Sequence, residues 1–230
     1  VPCIIHETGT FVDSRDNHEY GWVKIGDQIW MKENLAYLPI VGPLDSISAY
    51  SPCYYVAEYE GGSVDLAKET ENYSTYGVLY NWPAAMNGEA SSEKVPSGVK
   101  GVCPVGWHLP SYMEWIVLIY EAGGREHAAH NLRETGYSHW KYWYSPYCVE
   151  STNNTGFTAL PGGSGMYWYS QNIASYGKIQ GTEGFWWTAT ENGAHDFTTA
   201  EMIKIVGCYD DIRFGDYLKE FCFSVRCVKD

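Results

Sequence analysis

Gly101-Val-Cys-Pro-Val-Gly-Trp-His-Leu-Pro110-Ser-Tyr-Met-Glu-Trp-Ile-Val-Leu-Ile-Tyr120-Glu-Ala-Gly-Gly124 carries the strongest local signal in the chain. Ser111 stands at an N-cap position, and Pro110 keeps the chain extended before it. Glu114 completes a Ser-x-x-Glu capping box that satisfies free amide donors. Tyr112, Trp115, Leu118, Ile119 and Ala122 then recur at helical spacing, and Gly123-Gly124 supplies a left-handed exit. The pattern predicts a helix that buries one aromatic and aliphatic face. The preceding Cys103-Pro-Val-Gly-Trp-His-Leu-Pro is too rich in proline and glycine to be regular, and reads as a pinned corner feeding that helix.

The chain has 230 residues and no Ser/Pro-rich or charged linker, so residues 1–230 are expected to form one domain. Aromatic residues make up 16%, with 20 Tyr and 10 Trp, more than a core of this size needs. The surplus points to contact surfaces. A formal charge of −13 argues against nucleic acid or an anionic membrane as partner, since both depend on clustered Lys and Arg. No run of about 20 apolar residues exists to span a bilayer. No signal peptide stands at Val1, so a leader is expected to have been trimmed or to be absent, with a lipid anchor on a longer precursor left open. The 7 cysteines include no Cys-x-x-Cys and accompany no clustered His. They favour disulfides in an oxidising compartment over a zinc site, and place the protein outside the cytoplasm.

Along the chain, Val23-Lys-Ile and Gln28-Ile-Trp-Met flank Gly26-Asp27 and predict a hairpin. Residues 39–75 show no period and read as an irregular insertion. Leu79, Trp82 and Met86 predict a short helix beginning near Asn81, with Pro83 in its first turn. Strands are predicted at Thr155–Leu160, Gly184–Glu191, Ala200–Cys208 and Phe221–Val228, giving an antiparallel second half with long loops. Trp30, Trp107, Trp115 and Trp187 are assigned to the core. Cys208 and Cys222 flank the Asp210–Lys219 segment and are placed to pair across a final hairpin, while Cys3, Cys53 and Cys148 leave at least one thiol over.

Several segments together resemble the Fibrobacter succinogenes major paralogous domain, found in secreted and surface proteins of gut bacteria. They are Thr10-Phe-Val-Asp-Ser-Arg-Asp, Val23-Lys-Ile-Gly-Asp-Gln-Ile-Trp-Met-Lys-Glu-Asn-Leu, Tyr76-Gly-Val-Leu-Tyr-Asn-Trp-Pro-Ala-Ala-Met and Cys103-Pro-Val-Gly-Trp-His-Leu-Pro-Ser-Tyr-Met-Glu-Trp. Gly156-Phe-Thr-Ala-Leu-Pro-Gly-Gly, Phe185-Trp-Trp-Thr-Ala-Thr-Glu-Asn and Phe223-Ser-Val-Arg-Cys-Val-Lys-Asp follow in family order. The chain departs from the pattern at Pro83, where Ala is usual, and at Cys222, where Gly is usual. The resemblance implies an α+β, C-type-lectin-like fold: two helices, a small sheet joining the two chain ends, and a second sheet carrying long loops. Cys103 and Cys227 lie inside the family motifs, and in a fold whose ends meet they are candidates for a disulfide. Closing so long a loop would stabilise by on the order of 4 kcal/mol in the chain-entropy model, with two buried thiols as the alternative.

Calcium-bridged sugar binding needs gathered oxygen ligands, yet Ser151–Thr182 contains no Asp or Glu, and neither Glu-Pro-Asn nor Gln-Pro-Asp occurs. The candidate contact residues are instead Tyr167, Trp168, Tyr169, Gln171 and Asn172 on one loop, aromatic platforms beside amides. Tyr209, Asp210, Asp211, Arg213, Asp216 and Tyr217 form a second group. Related lectin-like domains diversify residues on this face. The bland alternatives are rings folded back over the domain and a solvated charged hairpin.

Cys222-Phe-Ser-Val-Arg-Cys227 also resembles the paired cysteines of the copper-dependent formylglycine-generating enzymes, since two thiolates suit Cu(I). Here, however, the chain stops soon after Cys227, so Cys227 matches the terminal strand instead of a catalytic loop. No Ser-His-Asp arrangement is evident in sequence, and nothing selects Glu183 and Glu191 as a hydrolytic pair. The expectation is therefore a non-enzymatic, secreted or surface-attached adhesion module that binds a glycan or protein ligand and needs no cofactor or metal. A copper-dependent oxidase and a structural surface subunit are the competing readings.

Overall fold

The computed structural model describes residues 6–42, 48–141, 148–168, 173–176, 180–191, 198–207, 209–210 and 212–230, with backbone alone at 166–168 and 173–176. The strands are β1 (Thr8–Asp13), β2 (His18–Ile25), β3 (Gln28–Met31), β4 (Tyr54–Tyr55), β5 (Leu79–Asn81), β6 (Trp107–His108), β7 (Gly165–Trp168), β8 (Ile173–Tyr176), β9 (Glu183–Glu191), β10 (Thr199–Val206), β11 (Ile212–Leu218), β12 (Cys222–Ser224) and β13 (Val228–Lys229). The helices are α1 (Val64–Lys68), α2 (Glu71–Tyr76), α3 (Trp82–Met86), α4 (Tyr112–Glu121) and α5 (Ala128–Leu132). The architecture is thus mixed, mostly sheet with a few short helices.

One sheet runs β1-β2-β3-β13-β6, and the other runs β11-β10-β9-β12-β5-β4 with the β7–β8 hairpin paired to β12. The N-terminal hairpin forms as the Gly26-Asp27 break requires, with Ile25 opposite Gln28 and Gly26 at φ 58°. The central strand β9 is buried on both faces, and its neighbouring tryptophans divide between two cores. Trp187 joins Tyr80, Trp82 and Phe223 on one side. Trp186 joins Trp30, Trp115, Trp140 and Phe157 on the other. A strand covered on both faces reads as a continuous apolar run, which is what Phe185-Trp-Trp-Thr-Ala is.

The final segment links the sheets. β12 lies antiparallel to β5 and meets β9 in parallel at Ser224–Trp186. After Val225-Arg-Cys227 the chain enters the other sheet, where Val228 pairs with both Trp30 and His108. Phe221–Val228 therefore forms two strands in two sheets, not the single strand its apolar run suggests. At the crossing, Cys227 is bonded to Cys103 (S–S 2.02 Å) across a sequence separation of 124 residues.

The capped helix α4 forms as its spacing dictates, with both halves of the capping box made and Trp115, Leu118 and Ile119 buried. Glu114 is itself buried and does more than cap. Its Oε2 accepts from the amides of Ser111 (2.9 Å) and Ser97 (3.0 Å), while Oε1 meets His108 Nε2 at 2.8 Å. The other ring nitrogen of His108 faces Asp230 Oδ1 at 2.8 Å. Burial alone would pull the His108 pKa down, but the two carboxylates outweigh it and raise it.

Three expectations fail. Residues 39–75 are not wholly irregular: their described part contains β4, α1 and α2, the helices capped by the side chains of Ser63 and Thr70. Five helices, not two, occur among the described residues. Thr155–Leu160 is not a strand, because Asn153, Gly156 and Thr158 all take positive φ (48°, 70° and 57°), leaving one bridge between Ala159 and Arg133. That shape turns the Phe157 and Thr158 carbonyls toward Arg226, which donates to both and to Asn34 Oδ1.

Replacing Cys103 and Cys227 together by Ala is expected to cost about 4–5 kcal/mol by chain entropy, read as a lower midpoint in urea unfolding. A second expectation concerns pH. Because the His108 pKa is raised on folding, its stabilisation is complete below the unfolded value and disappears as pH climbs through the folded one. His108→Gln should therefore lose more stability at pH 5.5 than at pH 9, whereas a pH-independent loss would contradict a charged His108.

Candidate functional site

The corner where α5 meets the chain leaving β10 gathers the polar chemistry of the molecule. Ala128, Ala129 and Leu132 of α5 are buried in the α4-side core, which fixes the helix and turns His127 and His130 outward. At its end, fully buried Arg133 spends its guanidinium on loop carbonyls. It donates to Val206 O (2.8 Å), Gly207 O, Tyr209 O (2.8 Å) and Val149 O (3.0 Å), and to Ser151 Oγ (3.0 Å). One side chain thus holds Val206, Gly207 and Tyr209 against Val149 and Ser151. Charge-assisted bonds of this kind contribute about 1.5–3 kcal/mol each.

The pinned loop delivers Asp210 to α5. Asp210 Oδ1 accepts from the His130 amide at 3.0 Å and lies 2.7 Å from His130 Nδ1, while Oδ2 lies 3.6 Å from His127 Nδ1. One potential donor atom from each of His127, His130 and Asp210 falls within 4.8 Å of the other two. Beside them Tyr209 is 54% exposed, and the Arg213 guanidinium sits 5.2 Å over its ring.

Of the expected contact residues, Tyr209, Asp210, Arg213, Asp216 and Tyr217 have described side chains. β11 is an edge strand paired antiparallel with β10, so this segment forms one arm of a hairpin. Asp216 is exposed, whereas Tyr217, on the opposite face of the strand, is half-buried. Tyr217 packs on Phe185, Phe221 and Phe223 (centroids 6.3, 5.7 and 5.7 Å) and belongs to the core edge, not to a contact face. On the strand's other face, Phe214 packs against Tyr112 of α4. Tyr167 and Trp168 lie on β7, opposite Ala174 and Ile173 of β8, so that loop too is a hairpin. Tyr169, Gln171, Asn172 and Asp211 lie outside the described residues. What the structure brings together is Tyr209, Asp210 and Arg213, joined by His127, His130 and Arg133. The sequence reading found no clustered histidines; the missed signal was His127-Ala-Ala-His130, two imidazoles at the i, i+3 spacing of a helix face.

The cysteines correct a further reading. Cys222 is a buried thiol against Tyr55 and Leu79, with Cys53 packed beside it, so the expected Cys208–Cys222 disulfide does not form. Cys208 itself lies outside the described residues. Burial pushes the Cys222 thiol pKa well up, with Cys53 and Glu220 adding to it. Since the Cys227 sulfur is bonded to Cys103, Cys222 and Cys227 do not offer the two thiolates of a copper site. Glu183 and Glu191 stand at opposite ends of β9, and each is ion-paired to a lysine, Lys204 and Lys219 respectively.

The family model of the Fibrobacter succinogenes major domain matches residues 23–229. The chain belongs to this family. No curated protein and no solved structure matches it. Among the described residues of this Fibrobacter succinogenes major domain, no helix is long and apolar enough to cross a membrane. Its tryptophans at positions 30, 107, 115 and 187 are all buried, as the motifs require, and among the described residues the strongly exposed large aromatic rings are those of Tyr50, Tyr120, Tyr137 and Tyr209.

Arg133→Met keeps the side-chain volume and removes every one of these donors. It is expected to destabilise the domain by about 3 kcal/mol and to speed amide exchange most at residues 207–210, measured by hydrogen–deuterium exchange.

Proposed function

We propose that this domain is an exported binding module of C-type-lectin-like architecture, presented at a cell surface, that recognises a glycan or protein ligand without acting chemically on it. The observation that carries the reading is the Tyr209–Arg213 pair, an exposed ring under a guanidinium, set on a corner that Arg133 and Asp210 hold rigid. Tyr and Arg are the residue types that anchor binding hot spots, and a pre-ordered corner spares the ordering cost of association. The arrangement of the sheets supports the architecture: one is closed by both chain ends, and the other carries the β7–β8 hairpin and the β10–β11 corner. The disulfide between Cys103 and Cys227 fits passage through an oxidising compartment.

The test is a glycan array together with a pull-down from surface extracts, using the intact chain and its Tyr209→Ala and Arg213→Ala variants. Specific capture by the parent chain that falls at least tenfold in each variant supports the reading. Equal capture by the variants, or capture of nothing by the parent, removes this corner as the recognition surface.

A further inference from the structure

From the cluster of His127, His130 and Asp210 we propose a binding site for a divalent first-row transition-metal ion of the zinc type. The proposal goes beyond the binding reading and stands or falls independently of it. The donors are two imidazole nitrogens and one carboxylate, drawn from two parts of the chain that Arg133 ties together. An N2O set of this kind suits Zn²⁺, whose tetrahedral sites take bonds of about 2.0–2.1 Å and so separate neighbouring donor atoms by about 3.3 Å. Calcium and magnesium, by contrast, demand six or more oxygens.

The observed spacings bracket that value. His130 Nδ1 lies 2.7 Å from Asp210 Oδ1, and His127 Nδ1 lies 3.6 Å from Asp210 Oδ2. On binding, the ion takes the place of the hydrogen between His130 Nδ1 and the carboxylate, and His127 turns in to complete the set. Its ring is free to do so, being 64% exposed where His130 and Asp210 are 19% and 18% exposed. The Asp210 carboxylate is already oriented by the His130 backbone amide, the kind of supporting hydrogen bond that fixes metal ligands. Three protein ligands leave one tetrahedral position open for an oxygen or nitrogen of an incoming molecule.

The experiment uses the untagged chain, stripped by chelator and titrated with Zn²⁺ alone in a calorimeter. One ion per chain is expected. Asp210→Asn and His130→Gln should each weaken binding at least tenfold, His127→Gln less, and His18→Gln and His139→Gln not at all. A variant that failed to fold would be uninformative, so the parent chain is also followed by imidazole nitrogen NMR during the titration. Shifts confined to His127 and His130 support the site. Absence of Zn²⁺ binding, binding that survives Asp210→Asn, or shifts at other histidines alone would overturn it.

Discussion

Arg226 is a fully buried guanidinium on the short crossing between the two sheets, and separate stretches of the chain converge on its two terminal nitrogens. It donates to Asn34 Oδ1 from the N-terminal half and to the Phe157 and Thr158 carbonyls from the middle of the chain, and lies 4.2 Å over the Phe157 ring. Burial draws its pKa down to about 9, against the opposing charge of Glu33. A cation so enclosed is tolerated only with its partners in place, so this group demands that three distant stretches converge. Asn34 extends the convergence, accepting from Trp186 Nε1 and donating to Ser224 Oγ. The bend at 156–158, with positive φ at Gly156 and Thr158, is held locally by Asn153 and turns its carbonyls to the guanidinium.

Where local physics decides the structure, the residues said so. The capping box, the Gly26-Asp27 hairpin and the Asn81-capped helix with Pro83 in its first turn are local devices, and each forms as its residues require. The stretch 39–75 defeated a periodic reading because α1 and α2 are only 5 and 6 residues long, too short to establish a repeat. Their caps were visible at Ser63 and Thr70, but a cap without a following apolar stripe is a weak signal. Thr155–Leu160 looked like a strand because its composition is that of one; its bent conformation is held by Asn153, Asn131 and the distant Arg226.

The candidate site divides in the same way. Tyr209, Asp210 and Arg213 were recognisable as contact-prone residue types. That Tyr217 turns inward follows from the pairing of β11 with β10, which no neighbouring residue announces. The histidines of α5 carried a faint signal in their spacing, but their meeting with Asp210 depends on the buried Arg133 and its carbonyl partners. Tertiary hydrogen bonds that assemble a site from separate segments leave little trace in the linear order of residues.

The stitch made by β12 and β13 bears on how the fold closes. Residues 222–229 supply a middle strand to each sheet, so a polypeptide delivered from its N-terminus first has two incomplete sheets until this stretch arrives. Contacts of such long sequence separation also form slowly. A molecule whose two sheets share one short stretch ties their fates together, so that loosening this crossing would release both at once.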